Sequence, residues 1–222
     1  MLSTSRRRAV RVVTTLLIAL SAGITLASEL KGLENLESFV KSARSGKAAF
    51  TQTVTSPARA GEAPRVKTSS GNFEFQRPNR FKFHYKKPFE QVILADGTSL
   101  WIYDADLNQA TQRSQTSAFA NTPAALIASA SDLSALRQHF SLDNAPATAD
   151  GLSWVSAKPK SADSSLQLVR IGLRGDALEQ LDITDSFGQR SVITFTSMQV
   201  NPSLNADSFK FNLPKGAEVL KQ

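Results

Sequence analysis

The sequence predicts an α+β fold: a large antiparallel sheet with a helix before it and a helical insertion within it. Three features of the 222-residue chain carry this expectation. Residues 71–104 hold strand-like runs between turn signals, with aromatic residues at every second position. Residues 28–46 repeat apolar side chains every three or four positions, and residues 114–140 interrupt an otherwise strand-like rhythm.

The first segment is expected to be removed rather than folded. Arg6, Arg7, Arg8 and Arg11 form a positive region ahead of the apolar run Val12 to Leu26, and Thr25-Leu26-Ala27 suits cleavage. Residues 1–27 therefore read as a signal peptide and residues 28–222 as one domain. A membrane anchor is disfavoured, because about 15 apolar residues fall short of the ~20 that span a bilayer. Ser5-Arg6-Arg7 leaves open whether export follows the general or the twin-arginine route.

The mature start, SELKGLENLESFVKSARSG, predicts an amphipathic helix with Leu30, Leu33, Leu36, Val40 and Ala43 on one stripe and Gly46 at its end. Strands are expected over 48–55, 66–76, 80–85, 90–95 and 98–103, with Asp96-Gly97 as the hairpin turn between the last two. Phe73 and Phe75 share a face, as do Phe81, Phe83 and Tyr85, and as do Trp101 and Tyr103, because side chains two apart in a strand point the same way. Glu74, Lys82 and His84 stand between them, as in a sheet with one covered surface. Asn121-Thr122-Pro123 places a cap and a first-turn proline before a short helix, AALIASA, and 132–140 predicts a second helical piece. Strands resume over 151–157, 165–173, 178–185, 190–200 and 208–213.

Composition narrows the function. The chain has no cysteine, so neither a disulfide nor a lipid of its own is expected. Its formal charge is +7; without the four leader arginines, 22 basic residues face 19 acidic ones, a net +3. Lysine and arginine are spread along the chain with no basic helix, so nucleic acid is not an expected partner. The catalytic inventory is thin: no HExxH, GxSxG or Walker loop occurs. His84 and His139 read as ordinary surface residues. Asp104, Asp106 and Asn108 begin like a calcium loop, but Gln109 and Gln115 replace its Gly and Glu. Asp182 and Asp185 precede a hairpin turn without a partner base. An enzyme is disfavoured. A one-sided sheet with apolar helices either fills its hollow permanently or covers a site for a hydrophobic guest.

The segment Gly71…Phe73…Arg77-Pro78-Asn79…Phe81, continuing through Pro88, Asp96-Gly97 and Leu100-Trp101-Ile102-Tyr103, resembles the LolA family of periplasmic outer-membrane lipoprotein carriers. The resemblance extends to Phe50-Thr51-Gln52, Asn121-Thr122-Pro123…Leu126-Ile127, Asp185…Gly188-Gln189 and Phe209-Lys210-Phe211…Pro214, in order over the mature chain. It implies an unclosed, strongly curved β-barrel with a helical lid, formed by the N-terminal helix and the mid-chain insertion, over an acyl-chain cavity. It also implies periplasmic location and no cofactor. Acylated lipoproteins would arrive from an inner-membrane ABC transporter of the LolCDE type and leave to the outer-membrane receptor LolB, with the carrier a monomer.

By the same resemblance, Arg77 corresponds to the arginine that locks the lid, and Phe81 to an aromatic of the cavity entrance used in cargo and partner contact. Phe83 and Tyr85 take cavity-lining positions, Phe83 where Trp is frequent. Phe73, Phe75, Trp101 and Tyr103 complete the expected cavity, and Leu33, Leu36, Val40, Leu126 and Ile127 the lid face. Two other readings stay open: a periplasmic sensor or interaction module that docks a folded domain on the same sheet, and a glycolipid carrier.

Overall fold

The structure, a computed structural model, describes residues 31–58, 61–115, 130, 132–146 and 148–222. Helix α1 (Gly32–Ser42) precedes strands β1 (Ser45–Ser56), β2 (Arg65–Gln76), β3 (Arg80–Lys87), β4 (Gln91–Asp96), β5 (Ser99–Asp104) and β6 (Gln109–Ser114). Helix α2 (Leu133–His139) then leads into β7 (Phe140–Ala145), β8 (Ser153–Pro159), β9 (Leu166–Arg174), β10 (Ala177–Asp185) and β11 (Arg190–Val200). A 3-10 turn (Ala206–Phe209) and β12 (Glu218–Lys221) end the chain. One sheet takes all the strands in the order β12-β6-β5-β4-β3-β2-β1-β11-β10-β9-β8-β7. Among the described residues, every pairing is antiparallel except β12 on β6, which is parallel. The sheet curves without closing, so β12 and β7 remain its two edges.

Helix α1 crosses the hollow over β7–β10. Leu36, Phe39 and Val40 are buried there and Leu33 is half-buried, which is the i, i+3, i+4 stripe a core-facing helix needs. Its first turn has no local side-chain cap; instead the Leu33 amide donates to Asn144 Oδ1 of β7 at 2.8 Å. The helix stops at Ser42, four residues before Gly46. Asn201, leaving β11, donates to the Ser42 carbonyl (2.9 Å) and accepts from the Arg44 amide (2.7 Å), taking up end groups that a longer helix would bond internally. Helix α2 is capped by Asp132, whose side chain accepts from the Ala135 amide at 3.0 Å.

The expected strands all form except the last. The segment over 208–213 joins no ladder: Ala206–Phe209 is a 3-10 turn, and Phe209 and Phe211 pack against the sheet's outer surface. Three strands went unread, β6, β7 and β12, because QATQRS, FSLDNA and EVLK lack an apolar alternation long enough to signal a strand. The helix expected over 121–130 lies outside the described residues, and with it Leu126 and Ile127; Ala130 alone is described there, and it is buried.

Glycine matters where strands cross the aromatic layer. Gly46 leaves room for the Phe75 ring, and a Cβ at Gly71 would strike the His84 carbonyl on β3. Backbone cannot retreat as a flexible side chain can, so Gly71→Ala is expected to lower unfolding free energy by about 1–3 kcal/mol. Chemical denaturation checks this; an unchanged midpoint would mean that β2 and β3 are farther apart than described.

Candidate functional site

The inner face of β1, β2, β3 and β11 is an aromatic floor. Register places Phe50 beside Phe195, and Phe73 and Phe75 beside Phe83 and Phe81. Ring centroids lie 4.4 Å apart for Phe73 and Phe83, 5.2 Å for Phe50 and Phe83, and 5.2 Å for Phe73 and Phe195. Offset and edge-on ring pairs of this kind contribute about 0.5–1.5 kcal/mol each beyond burial, so the floor is rigid. Salt bridges run along the opposite face, where Glu74 Oε2 meets Lys82 Nζ at 3.4 Å and Glu74 Oε1 meets Lys47 Nζ at 3.7 Å.

Among the described residues, the packing stops short at one end of this floor. A cavity of about 270 Å³ is lined by Phe81, Phe83, Tyr85, Ile93, Leu166, Ile183 and Ile193, with Gln52, Asp185, Gln189 and Ser191 at its polar side. Phe73 and Phe75 lie outside that lining, fully buried in the core cluster. At this size the cavity is slightly below the ~300–1,000 Å³ of ordinary ligand pockets, and its lining is mainly apolar with a few polar groups.

Two expected cavity residues sit elsewhere. Trp101 pairs with Leu94 and Tyr103 with Val92, whereas Phe81 and Phe83 pair with Ala95 and Ile93, so the two sets point to opposite faces. Trp101 stacks on Phe211 (4.6 Å, 14°) and donates through Nε1 to Asp96 Oδ2 at 3.1 Å. The Tyr103 hydroxyl donates to Asn108 Oδ1 at 3.0 Å. Alternation tells which residues share a face but not which face is the hollow; in β5 both faces are apolar, since Leu100 and Ile102 alternate with Trp101 and Tyr103. The C-terminal segment covers the second one.

Arg77 is the polar group with most to explain. Its guanidinium lies between two rings, 5.2 Å from the Phe39 centroid and 5.0 Å from that of Phe75. Its side-chain nitrogens are buried and have no hydrogen-bond partner among the described residues. Burial pulls its pKa down from the usual arginine value to about 10. Phe39, which faces it from α1, was absent from the sequence candidates, although Leu36, Phe39 and Val40 have the spacing of one helix face. Phe50 and Ile93 also belong to the inner face, but neither stands in a clear apolar–polar alternation: Ile93 lies between Val92 and Leu94, and Phe50 between Ala49 and Thr51.

The remaining candidates have structural partners. Asp182 holds Arg190 in a two-point pair (2.8 and 2.9 Å), while Asp185 Oδ1 accepts from the Phe187 and Gln189 amides at the hairpin turn (2.9 and 2.8 Å). His84 contacts Glu90 at 2.9 Å. Asp104 Oδ1 accepts from the Leu107 amide in the tight turn before β6. Among the described residues, no three His, Asp or Glu side chains gather as a metal site would need.

The architecture and site together define a class: an open, curved sheet whose inner aromatic face carries a helix and an apolar cavity. The profile of the family described as outer membrane lipoprotein carrier protein LolA matches residues 41–212. An outer-membrane lipoprotein carrier protein from Albidiferax ferrireducens is 57% identical over 212 residues, covering 94% of this chain and 98% of that protein. One of the same description from Leptothrix cholodnii is 45% identical over 221 residues, covering 100% of each, and one from Methylibium petroleiphilum is 43% identical over 205 residues, covering 92% and 95%. The chain belongs to the LolA family.

Tyr85 reports on the cavity directly. Its hydroxyl donates to Gln52 Oε1 at 2.8 Å, and burial raises its pKa to about 12. An unfolded tyrosine ionises near 10, so Tyr85 favours folding fully below pH ~10 and loses that contribution as pH rises towards 12. The ultraviolet titration difference between the parent and Tyr85→Phe should have its midpoint near 12. A midpoint near 10 would show a solvated phenol.

Proposed function

We propose that the chain is a periplasmic carrier that shields the acyl chains of lipoproteins, taking them from an inner-membrane ABC transporter of the LolCDE type and passing them to the outer-membrane receptor LolB. In this reading residues 1–27 are removed on export, and residues 28–222 act as a monomeric carrier domain without catalysis. The observation that carries the proposal is the apolar cavity bounded by Phe81, Phe83 and Tyr85 in a chain of this family.

The physics asks for such a shield. At ~0.8 kcal/mol per methylene, exposing one chain of roughly 16 carbons to water costs on the order of 12 kcal/mol. Spontaneous crossing of an aqueous compartment is then negligible. Release must occur without a comparable barrier, which favours a loosely filled pocket over a tight one. A cavity of about 270 Å³ is a starting volume; cargo with several chains requires the covering helices to move.

Arg77 supplies the opposing force. A buried guanidinium with unsatisfied donors is costly, and ring contacts offset only part of that cost. Carbonyl acceptors on a closed lid complete it, with about 1.5–3 kcal/mol for a hydrogen bond to a charged group. Loading breaks those bonds, so the filled state is held less tightly than by a passive pocket. Leu33, Leu36 and Val40 then form part of the lid face, together with Leu126 and Ile127.

Release of newly made lipoproteins from spheroplasts by the purified mature protein tests the carrier reading; failure to release any would contradict it. Arg77→Leu is expected to load cargo yet pass it to LolB on the order of tenfold more slowly. It should also be more resistant to denaturant than the parent, since it deletes a buried charge. Transfer at the parental rate would remove Arg77 from the release step.

A further inference from the structure

We infer that a second groove, beside the cavity, holds the stretch of polypeptide that follows an acylated N-terminal residue, in extended form along the Arg65–Ser69 edge of β2. This inference rests on the carrier reading.

Strand β2 is longer than its neighbour. It pairs with β1 from Arg65 to Gln76, but β3 pairs with it only from Ser70 onward, because β3 ends at Lys87. Among the described residues, no strand pairs with the other edge of Arg65–Ser69. Every second residue there therefore turns its backbone N–H and C=O towards an open groove rather than a ladder. The groove has a volume of about 730 Å³, and Lys67, Thr68 and Ser69 form one wall. Phe89 and Leu107, which are 67% and 70% exposed, line it as well. Five residues of open edge span about 17 Å, enough for an equal length of extended partner.

Position identifies the occupant. Gln52 and Tyr85 line both the groove and the apolar cavity, and the Tyr85–Gln52 hydrogen bond stands where the two meet. A ligand with hydrocarbon at one end and peptide at the other would place its chains among Phe81, Phe83 and Ile93. Its first peptide units would then emerge at Tyr85, directly beside the unpaired edge. Edge pairing reads backbone and not side chains, which suits a site serving many cargo sequences. Phe89 and Leu107 add apolar contact without demanding a particular residue.

The probe is a synthetic peptide with an S-diacylglyceryl, N-palmitoyl cysteine followed by alternating serine and alanine. It is compared with the same lipopeptide N-methylated along its peptide backbone, and with palmitate. N-methylation leaves the acyl chains unchanged and removes the donors that edge pairing uses. The parent protein is expected to bind the methylated form on the order of tenfold more weakly, as for two lost hydrogen bonds. Both should displace palmitate. A photoreactive group at Thr68 should crosslink to the peptide portion of the unmethylated probe. Equal affinity for the two lipopeptides overturns the inference while leaving the cavity assignment intact. Absence of binding by palmitate and both lipopeptides overturns the carrier reading as well. Crosslinking of Thr68 only to a second copy of the chain would assign the edge to self-association and also overturn it.

Discussion

The aromatic layer across β1, β2, β3 and β11 is the element on which the site depends. Phe50, Phe73, Phe83 and Phe195 are locked by ring contacts and by strand register, so the floor of the hollow cannot rearrange cheaply. Helix α1 lies over the β7–β10 half of the sheet. Among the described residues, unfilled space remains above this floor at its Tyr85 end.

The polar groups follow from that arrangement. Arg77 lies between the floor and α1, touching Phe75 of the one and Phe39 of the other. It is thus placed where relative movement of helix and sheet changes its surroundings. Tyr85 and Gln52 satisfy one another at the boundary between the apolar cavity and the more polar groove beside it. Each departs from the alternation of apolar inside and polar outside, and each stands where a guest or a moving helix would be felt. On the outer face the same alternation yields ordinary ion pairs, such as Glu74 with Lys82.

Much of this was legible in the sequence because period-two alternation in 71–104 and the helical stripe of 28–46 are long signals. They predicted the sheet, its helix and the shared faces of Phe81, Phe83 and Tyr85. Trp101 and Tyr103 were misplaced for a definite reason: β5 is apolar on both faces, and its local pattern cannot tell the hollow from the outer surface that Phe211 covers. Strand β12 was unreadable because EVLK gains its place by pairing with β6, a long-range event without local signature. Phe39 was legible at i+3 from Leu36, but its partnership with Arg77 depends on a β2–α1 contact that spacing does not encode.

The central claim is that hydrocarbon enters the hollow above the aromatic floor. Isotope-edited NMR with carbon-13-labelled palmitate measures this directly, through contacts between acyl protons and assigned side chains. The account predicts cross-relaxation from mid-chain methylenes to Phe81, Phe83 and Ile93. Contacts confined to Trp101 and Phe211 on the outer face, or none at all, would contradict it.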